Sequence, residues 1–243
     1  MPAQTVLVAP RAGGVIAGKI VVVQSAAHLT ATYARLSDHL SLMVQEIIPG
    51  GDDHLFGYLA FWDADGREVA WVTKQKLRQF PPGFGDGTLQ RTVDAPDVRA
   101  LSVRLLQTFG WRGLVGVEFK RDMRDASLRL MEVNPRTVAA NQVAVTAGVD
   151  LPWIAYQYNT GMGVSAPAGF RTGVQLVNEP SDLRACLRLQ GRTVAAFATW
   201  LRSIRASEAK ALGARDDPWP LLIAMGRFAV ALLTGSERTM PAL

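Results

Sequence analysis

Two neighbouring segments of this 243-residue chain carry acidic side chains at strand spacing. In Val115-Gly116-Val117-Glu118-Phe119, β alternation sets Val115, Val117 and Phe119 on one face and Glu118 on the other. In the segment that follows, Leu128, Leu130, Glu132 and Asn134 share a face by the same alternation. If residues 122–126 close a tight antiparallel hairpin, Glu118 falls at or near the position opposite Glu132, where two like charges destabilise a sheet. A cation between them removes that cost. Two carboxylates and an amide oxygen are hard donors, which suit Mg²⁺ or Mn²⁺ rather than zinc. The alternative is an exposed sheet face on which Glu118 pairs with Lys120 or Arg129 while Asn134 starts an Asn-Pro turn.

A second group is basic. Lys74, Lys76 and Arg78 recur at period two and form a row of three cations suited to phosphate oxygens or a carboxylate. The same pattern also protects a solvated edge strand from pairing. His28, His39 and His54 lack ligand spacing, and no Ser/His/Asp or Cys/His nucleophile set is present. The lone Cys186 rules out an internal disulfide framework and a thiolate metal cluster, and it suits a reducing cytoplasm.

The elements that must position these groups alternate between strand-like and helix-like windows. Short strands are expected at Val6–Val8 and Lys19–Val23, then a helix capped by Ser25 with Leu29, Tyr33 and Leu36 on one stripe. Strands follow at Leu42–Ile48, Leu55–Trp62 and Glu68–Leu77, with Asp65-Gly66 as a hairpin turn between the last two. Residues 81–87 form a loop, a helix starts near Pro96 and ends at Gly110, and strands Leu114–Arg121 and Leu128–Val133 come next. Beyond Pro135 the chain is helical at Thr137–Ala147 and Leu151–Tyr158, and after the Gly/Pro/Ser-rich stretch Gly161–Gly169 further helices run to the end.

Composition bounds the rest. With 49% apolar and 19% charged residues, the chain buries a core of its own and is not a disordered tail. A net charge of +5 favours anionic partners. The longest apolar run, Leu221–Leu233, is shorter than the ~20 residues a bilayer needs and contains Arg227, so no membrane role is expected. The six tryptophans form no basic, strand-spaced stacking row, so a nucleic-acid partner is not expected either.

Four fragments together carry a family resemblance: Val44-Gln45-Glu46-Ile47-Ile48-Pro49-Gly50-Gly51-Asp52-Asp53, Lys76-Leu77-Arg78-Gln79-Phe80-Pro81-Pro82, Gly116-Val117-Glu118-Phe119 and Met131-Glu132-Val133-Asn134-Pro135-Arg136. In this order they resemble the C-terminal part of ATP-grasp enzymes, similar to ligases of the carbamoyl-phosphate synthase large-chain type. The resemblance implies an α+β fold, an antiparallel sheet flanked by helices with a helical C-terminal tail. It implies that Gln45, Glu46, Ile47 and Ile48 hold adenine and that Asp52 or Asp53 meets the ribose. Lys74, Lys76 and Arg78 would face phosphates, Glu118, Glu132 and Asn134 would hold Mg²⁺, and Arg136 would face the phosphoryl or acyl group.

The pattern departs from the family at Val6-Leu7-Val8-Ala9-Pro10, where the family strand presents a phosphate-binding lysine and this chain has Ala9; Lys19 substitutes in part. Few residues precede Gln45, so the domains expected are residues 1–43 as a remnant of the first lobe, 44–160 as the ATP/Mg lobe and 161–243 as a helical extension. The function implied is an ATP- and Mg²⁺-dependent, ADP-forming ligase for small carboxylate and amine substrates, either as a truncated piece of a longer ligase or with a partner chain supplying the missing lobe. The alternative is a non-catalytic nucleotide- or partner-binding module.

Overall fold

The computed structural model describes residues 5–8, 20–37, 42–165, 167–214 and 216–234. Lys19, Ala9 and His39, singled out above, lie outside them. The chain divides into two compact units, Met1–Pro49 and Gly50–Leu243.

In the first unit, β1 (Thr5–Val8), β2 (Ile20–Val23) and β3 (Met43–Glu46) form a three-stranded antiparallel sheet in the order β2-β1-β3. Helix α1 (Ala26–Leu36) lies between β2 and β3 in the chain and starts as its sequence dictates, with the Ser25 side chain accepting from the His28 N–H at 3.1 Å.

The second unit is organised on β4 (Leu55–Trp62), β5 (Glu68–Phe80), β6 (Asp86–Thr92), β7 (Gly113–Arg121) and β8 (Leu128–Asn134). A short 3₁₀ turn, Asp52–His54, leads into β4, and α2 (Pro96–Thr108) separates β6 from β7. Then come α3 (Asn141–Thr146), α4 (Leu151–Thr160), β9 (Gln175–Val177), α5 (Glu179–Gln190), α6 (Val194–Ala206), β10 (Ala209–Lys210) and α7 (Trp219–Thr234). Among the described residues the sheet has seven strands in the order β10-β9-β6-β5-β4-β7-β8; every pair is antiparallel except β9–β10.

Strand alternation sorts the core onto two faces. Tyr58, Ala60, Trp62, Val115, Val117 and Phe119 pack with Val98 and Leu106 of α2. Leu59, Phe61, Ala70 and Val72 point the other way and pack with Ala144, Leu151 and Ile154 of α3 and α4. The β4–β5 hairpin turns at Gly66, whose φ of +78° is left-handed space that glycine enters without a side-chain clash.

Several elements differ from the sequence expectation. Residues 86–92 form a full strand, and the 161–243 segment adds two short strands to the sheet besides its helices. The helix expected over 137–147 is confined to Asn141–Thr146. Strand β5 runs on to Phe80 and pairs on both sides, so its basic row is not an edge.

Candidate functional site

Four strands present one row of residues directly across the sheet. Lys74 on β5 is registered with Gly57 on β4, Gly57 with Glu118 on β7, and Glu118 with Glu132 on β8. The glycine is what makes the row work. A Cβ on Gly57 would lie 2.8 Å from Lys74 Cε, so only a residue without a side chain lets Lys74 cross β4 to reach the β7 carboxylate. Lys74 Nζ donates to Glu118 Oε1 at 3.2 Å and to Gln90 Oε1 at 2.8 Å, and Lys76 Nζ donates to Glu118 Oε2 at 2.8 Å.

The electrostatics follow from this geometry. Lys74 is only 1% exposed, and burial pulls its pKa below the ordinary lysine value, opposed by the Glu118 charge. Burial pushes the Glu118 carboxyl up, but Lys74 and then Lys76 outweigh it and hold the group at about 2. Glu118 is therefore ionised, and its partners are the two β5 lysines rather than Lys120 or Arg129. Arg129 instead reaches Asp125 at 2.7 Å and Asp122 at 3.4 Å. The repulsion expected between the opposed Glu118 and Glu132 is thus relieved within the chain by two ammonium groups, without calling on an ion.

Glu132 reaches this face because of a β-bulge. From Arg121↔Leu128 to Phe119↔Leu130 the pairing is regular, but Glu118 then pairs with Glu132, leaving Met131 as an extra residue. Were the pairing regular, Glu118 would face Met131, and Glu132 would sit opposite Val117 on the apolar side. The expectation that Leu128, Leu130, Glu132 and Asn134 share a face fails at this bulge: Leu128 packs against the Phe119 cluster, while Glu132 and Asn134 lie on the Glu118 side. Asn134 donates from Nδ2 to Glu132 Oε1 at 2.7 Å, so its amide oxygen stays available. The hairpin is anchored by buried Asp122, which accepts from the backbone and guanidinium of Arg124; these bonds hold its pKa well below the usual carboxylate range.

A second bulge corrects the basic row. Lys76 pairs with Gln90 but Arg78 pairs with Leu89, so Leu77 is extra and Arg78 leaves the lysine face. Its Nη1 lies 2.7 Å from both carboxylate oxygens of fully buried Asp182 on α5 and 3.0 Å from Cys186 Sγ. Thr88 also donates to Asp182, at 3.0 Å. Arg78 therefore ties β5 to α5 and does not join Lys74 and Lys76.

The remaining candidates divide similarly. Asp52 accepts from the Gln79 N–H at 3.0 Å, from Gln79 Nε2 at 2.8 Å and from the Gly83 N–H at 3.3 Å, and so holds the turn after β5. Asp53 is exposed and meets His54 Nδ1 at 3.0 Å. Arg136 is exposed and donates to the Thr137 carbonyl at 3.0 Å. Gln45 and Glu46 end β3, and with Ile47 and Ile48 they belong to the first unit. Gln90 and Gly57 were not anticipated. Gln90 lies in the unanticipated strand β6, and Gly57 is a lone glycine inside an apolar run, a pattern that signals close approach of another group. Lys120 is buried on the same face as Glu118, and burial pulls its pKa down, opposed by Asp52.

Among the described residues no group of three or more His, Cys, Asp or Glu is placed to hold a metal ion. Glu118, Glu132 and Asn134 still form a set of three oxygen-bearing side chains on one face.

Residues 60–180 match the family model described as ATP-grasp in the biosynthetic pathway with Ter operon. The chain belongs to the ATP-grasp superfamily. Solved structures agree on the fold. N5-carboxyaminoimidazole synthetase from Staphylococcus aureus, complexed with ADP, aligns over 71% of this chain and 44% of its own at 13% identity and TM-score 0.52. Biotin carboxylase from Campylobacter jejuni aligns over 71% and 40% at 13% identity and TM-score 0.51. The biotin carboxylase domain of 2-oxoglutarate carboxylase from Hydrogenobacter thermophilus, with MgADP and bicarbonate, aligns over 71% and 40% at 14% identity and TM-score 0.51. The aligned part is less than half the length of each of these relatives. No curated protein matches the sequence.

Proposed function

We propose that the chain carries the nucleotide- and metal-binding lobe of an ADP-forming ligase that joins a small carboxylate to an amine, using ATP and Mg²⁺. The observation that carries this reading is the cross-strand row in which Lys74 reaches Glu118 over Gly57 and Glu118 is paired in turn with Glu132. Three structural relatives are carboxylating or carboxylate-handling enzymes, two of them solved with ADP, and this supports the reading at the level of the superfamily.

The residues fit a divalent ion of a particular kind. Two carboxylates and one amide oxygen leave an octahedral Mg²⁺ short of ligands, and phosphate oxygens and water would complete the shell. The site therefore suits an ion delivered with a nucleotide more than an ion bound alone. When bound, Mg²⁺ would neutralise charge on the phosphoryl group in transfer.

In this reading a substrate carboxylate oxygen attacks the γ-phosphorus and the bond to ADP breaks; an amine then attacks the acyl carbon and inorganic phosphate leaves. Lys76, the more exposed of the two lysines on Glu118, donates to phosphate oxygens, and Lys74 keeps Glu118 ionised and oriented. Arg136 steadies negative charge on the acyl group. Asp53, whose carboxylate is less committed than that of Asp52, meets the ribose. Gln45, Glu46, Ile47 and Ile48 as the adenine contact, and Lys19 as a phosphate contact, rest on the sequence resemblance alone. Arg78 acts as a positioning residue through Asp182.

Glu132→Gln should abolish Mg²⁺-dependent ADP release in a screen of carboxylate and amine pairs while leaving the circular dichroism spectrum unchanged. Release at the unaltered rate would rule the assignment out. Because the chain spans under half of its relatives' length, a second reading is a lobe that binds Mg·ATP without turnover on its own. Calorimetric binding with no ADP release from any pair is the result that reading predicts.

A further inference from the structure

Lys120 is the buried cation that the reading above leaves unused. It lies on β7 two residues beyond Glu118 on the same face, registered with Leu55 on one side and Arg129 on the other. It is 8% exposed, and among the described residues its ammonium makes no hydrogen bond. Asp52 acts on it through space, but the Asp52 oxygens are taken by Gln79 and Gly83. The side chain is mostly buried while its ammonium reaches the surface of this face, a cation that no protein group hydrogen-bonds and that is placed to take an anionic ligand acceptor.

Position along the strand says which acceptor. Two residues of strand separate Lys120 from the Glu118–Glu132 row, roughly 7 Å. Leu55, its neighbour on β4, directly follows the Asp52–His54 turn. A nucleotide whose terminal phosphates lie at the Glu118–Glu132 row and whose ribose lies toward Asp53 must pass over Lys120 with its first phosphate. We infer that Lys120 binds the α-phosphate of that nucleotide, an inference that rests on the nucleotide reading above.

The test is calorimetry on the full chain with Mg²⁺, titrating ADP, AMP and adenosine into the unaltered protein, Lys120→Met and Lys120→Arg. A charge-assisted hydrogen bond to the α-phosphate predicts that Lys120→Met weakens ADP and AMP by roughly tenfold or more and leaves adenosine within about twofold. Lys120→Arg, which keeps the charge, should restore most of the loss. Equal weakening of all three ligands would assign Lys120 a packing role, and unchanged affinities would assign it none; either overturns the inference. An unaltered chain that fails to bind ADP would instead overturn the nucleotide reading, and this one with it.

Discussion

Glu118 shows how much one carboxylate depends on its company. With an unfolded value of 4.5 and a folded value of about 2, it binds fewer protons folded than unfolded as the solution is acidified. Its contribution is fully present above about pH 4.5 and is lost as pH falls toward 2, amounting to about 3 kcal/mol. Chemical denaturation of the metal-free protein between pH 6 and 2 should show this loss, and Glu118→Gln should flatten that part of the profile. The same substitution leaves buried Lys74 without its counter-charge and should lower stability at pH 7 by about 3–5 kcal/mol. Gly57→Ala acts on the same pair from the other strand. Its new Cβ displaces the Lys74 chain, so the Glu118 carboxyl titration, followed by NMR, should move upward from about 2. The acidic pair and the amide were legible from residue types and alternation. Lys74 as the partner of Glu118 was not, because contact across an intervening strand depends on which strand lies between.

At the scale of elements, two single-residue bulges decide which side chains reach the site. Met131 turns Glu132 and Asn134 onto the Glu118 face, and Leu77 turns Arg78 away from Lys74 and Lys76. Deleting Met131 should remove the bulge and leave Glu132 opposite Glu118 in a regular ladder, so Mg·ATP binding should persist, as it should in Met131→Ala. Deleting Leu130 together with Met131 should instead bring Glu132 opposite Phe119 on the apolar face, abolish Mg·ATP binding and lower stability by at least about 2 kcal/mol. Period-two reading of a sequence finds the strands but not their bulges, since a bulge adds a residue without changing composition. That is why β7 and the single acid of β8, Glu132, were anticipated while the faces of Leu128, Leu130 and Arg78 were not. Strand β6 was missed for a different reason: of its buried residues Thr88, Leu89, Gln90 and Thr92 only Leu89 is apolar, which gave no apolar alternation.

At the scale of the whole molecule, the C-terminal segment is built into the sheet. β9 pairs with β6, and Asp182 of α5 binds Arg78 of β5. Three- and two-residue strands are too short for a periodic signal, so this segment reads as helical in sequence. Asp182→Ala would strand the Arg78 guanidinium, 15% exposed, without its carboxylate, and should cost about 3–5 kcal/mol in thermal or chemical unfolding. If Arg78 is only a positioning residue, Mg·ATP affinity measured well below the melting temperature should change by less than about threefold. No helix among the described residues is long and apolar enough to cross a membrane.

The central claim is that Glu118 and Glu132 hold a divalent ion together with nucleotide phosphates. Mn²⁺ is a spectroscopically visible substitute for Mg²⁺, and its free concentration can be followed by electron paramagnetic resonance as protein is added with and without ATP. The account predicts weak Mn²⁺ uptake by the protein alone, strong uptake of the Mn·ATP complex, and loss of that uptake in Glu132→Gln. Equal uptake of Mn·ATP by the unaltered protein and by Glu132→Gln would contradict it.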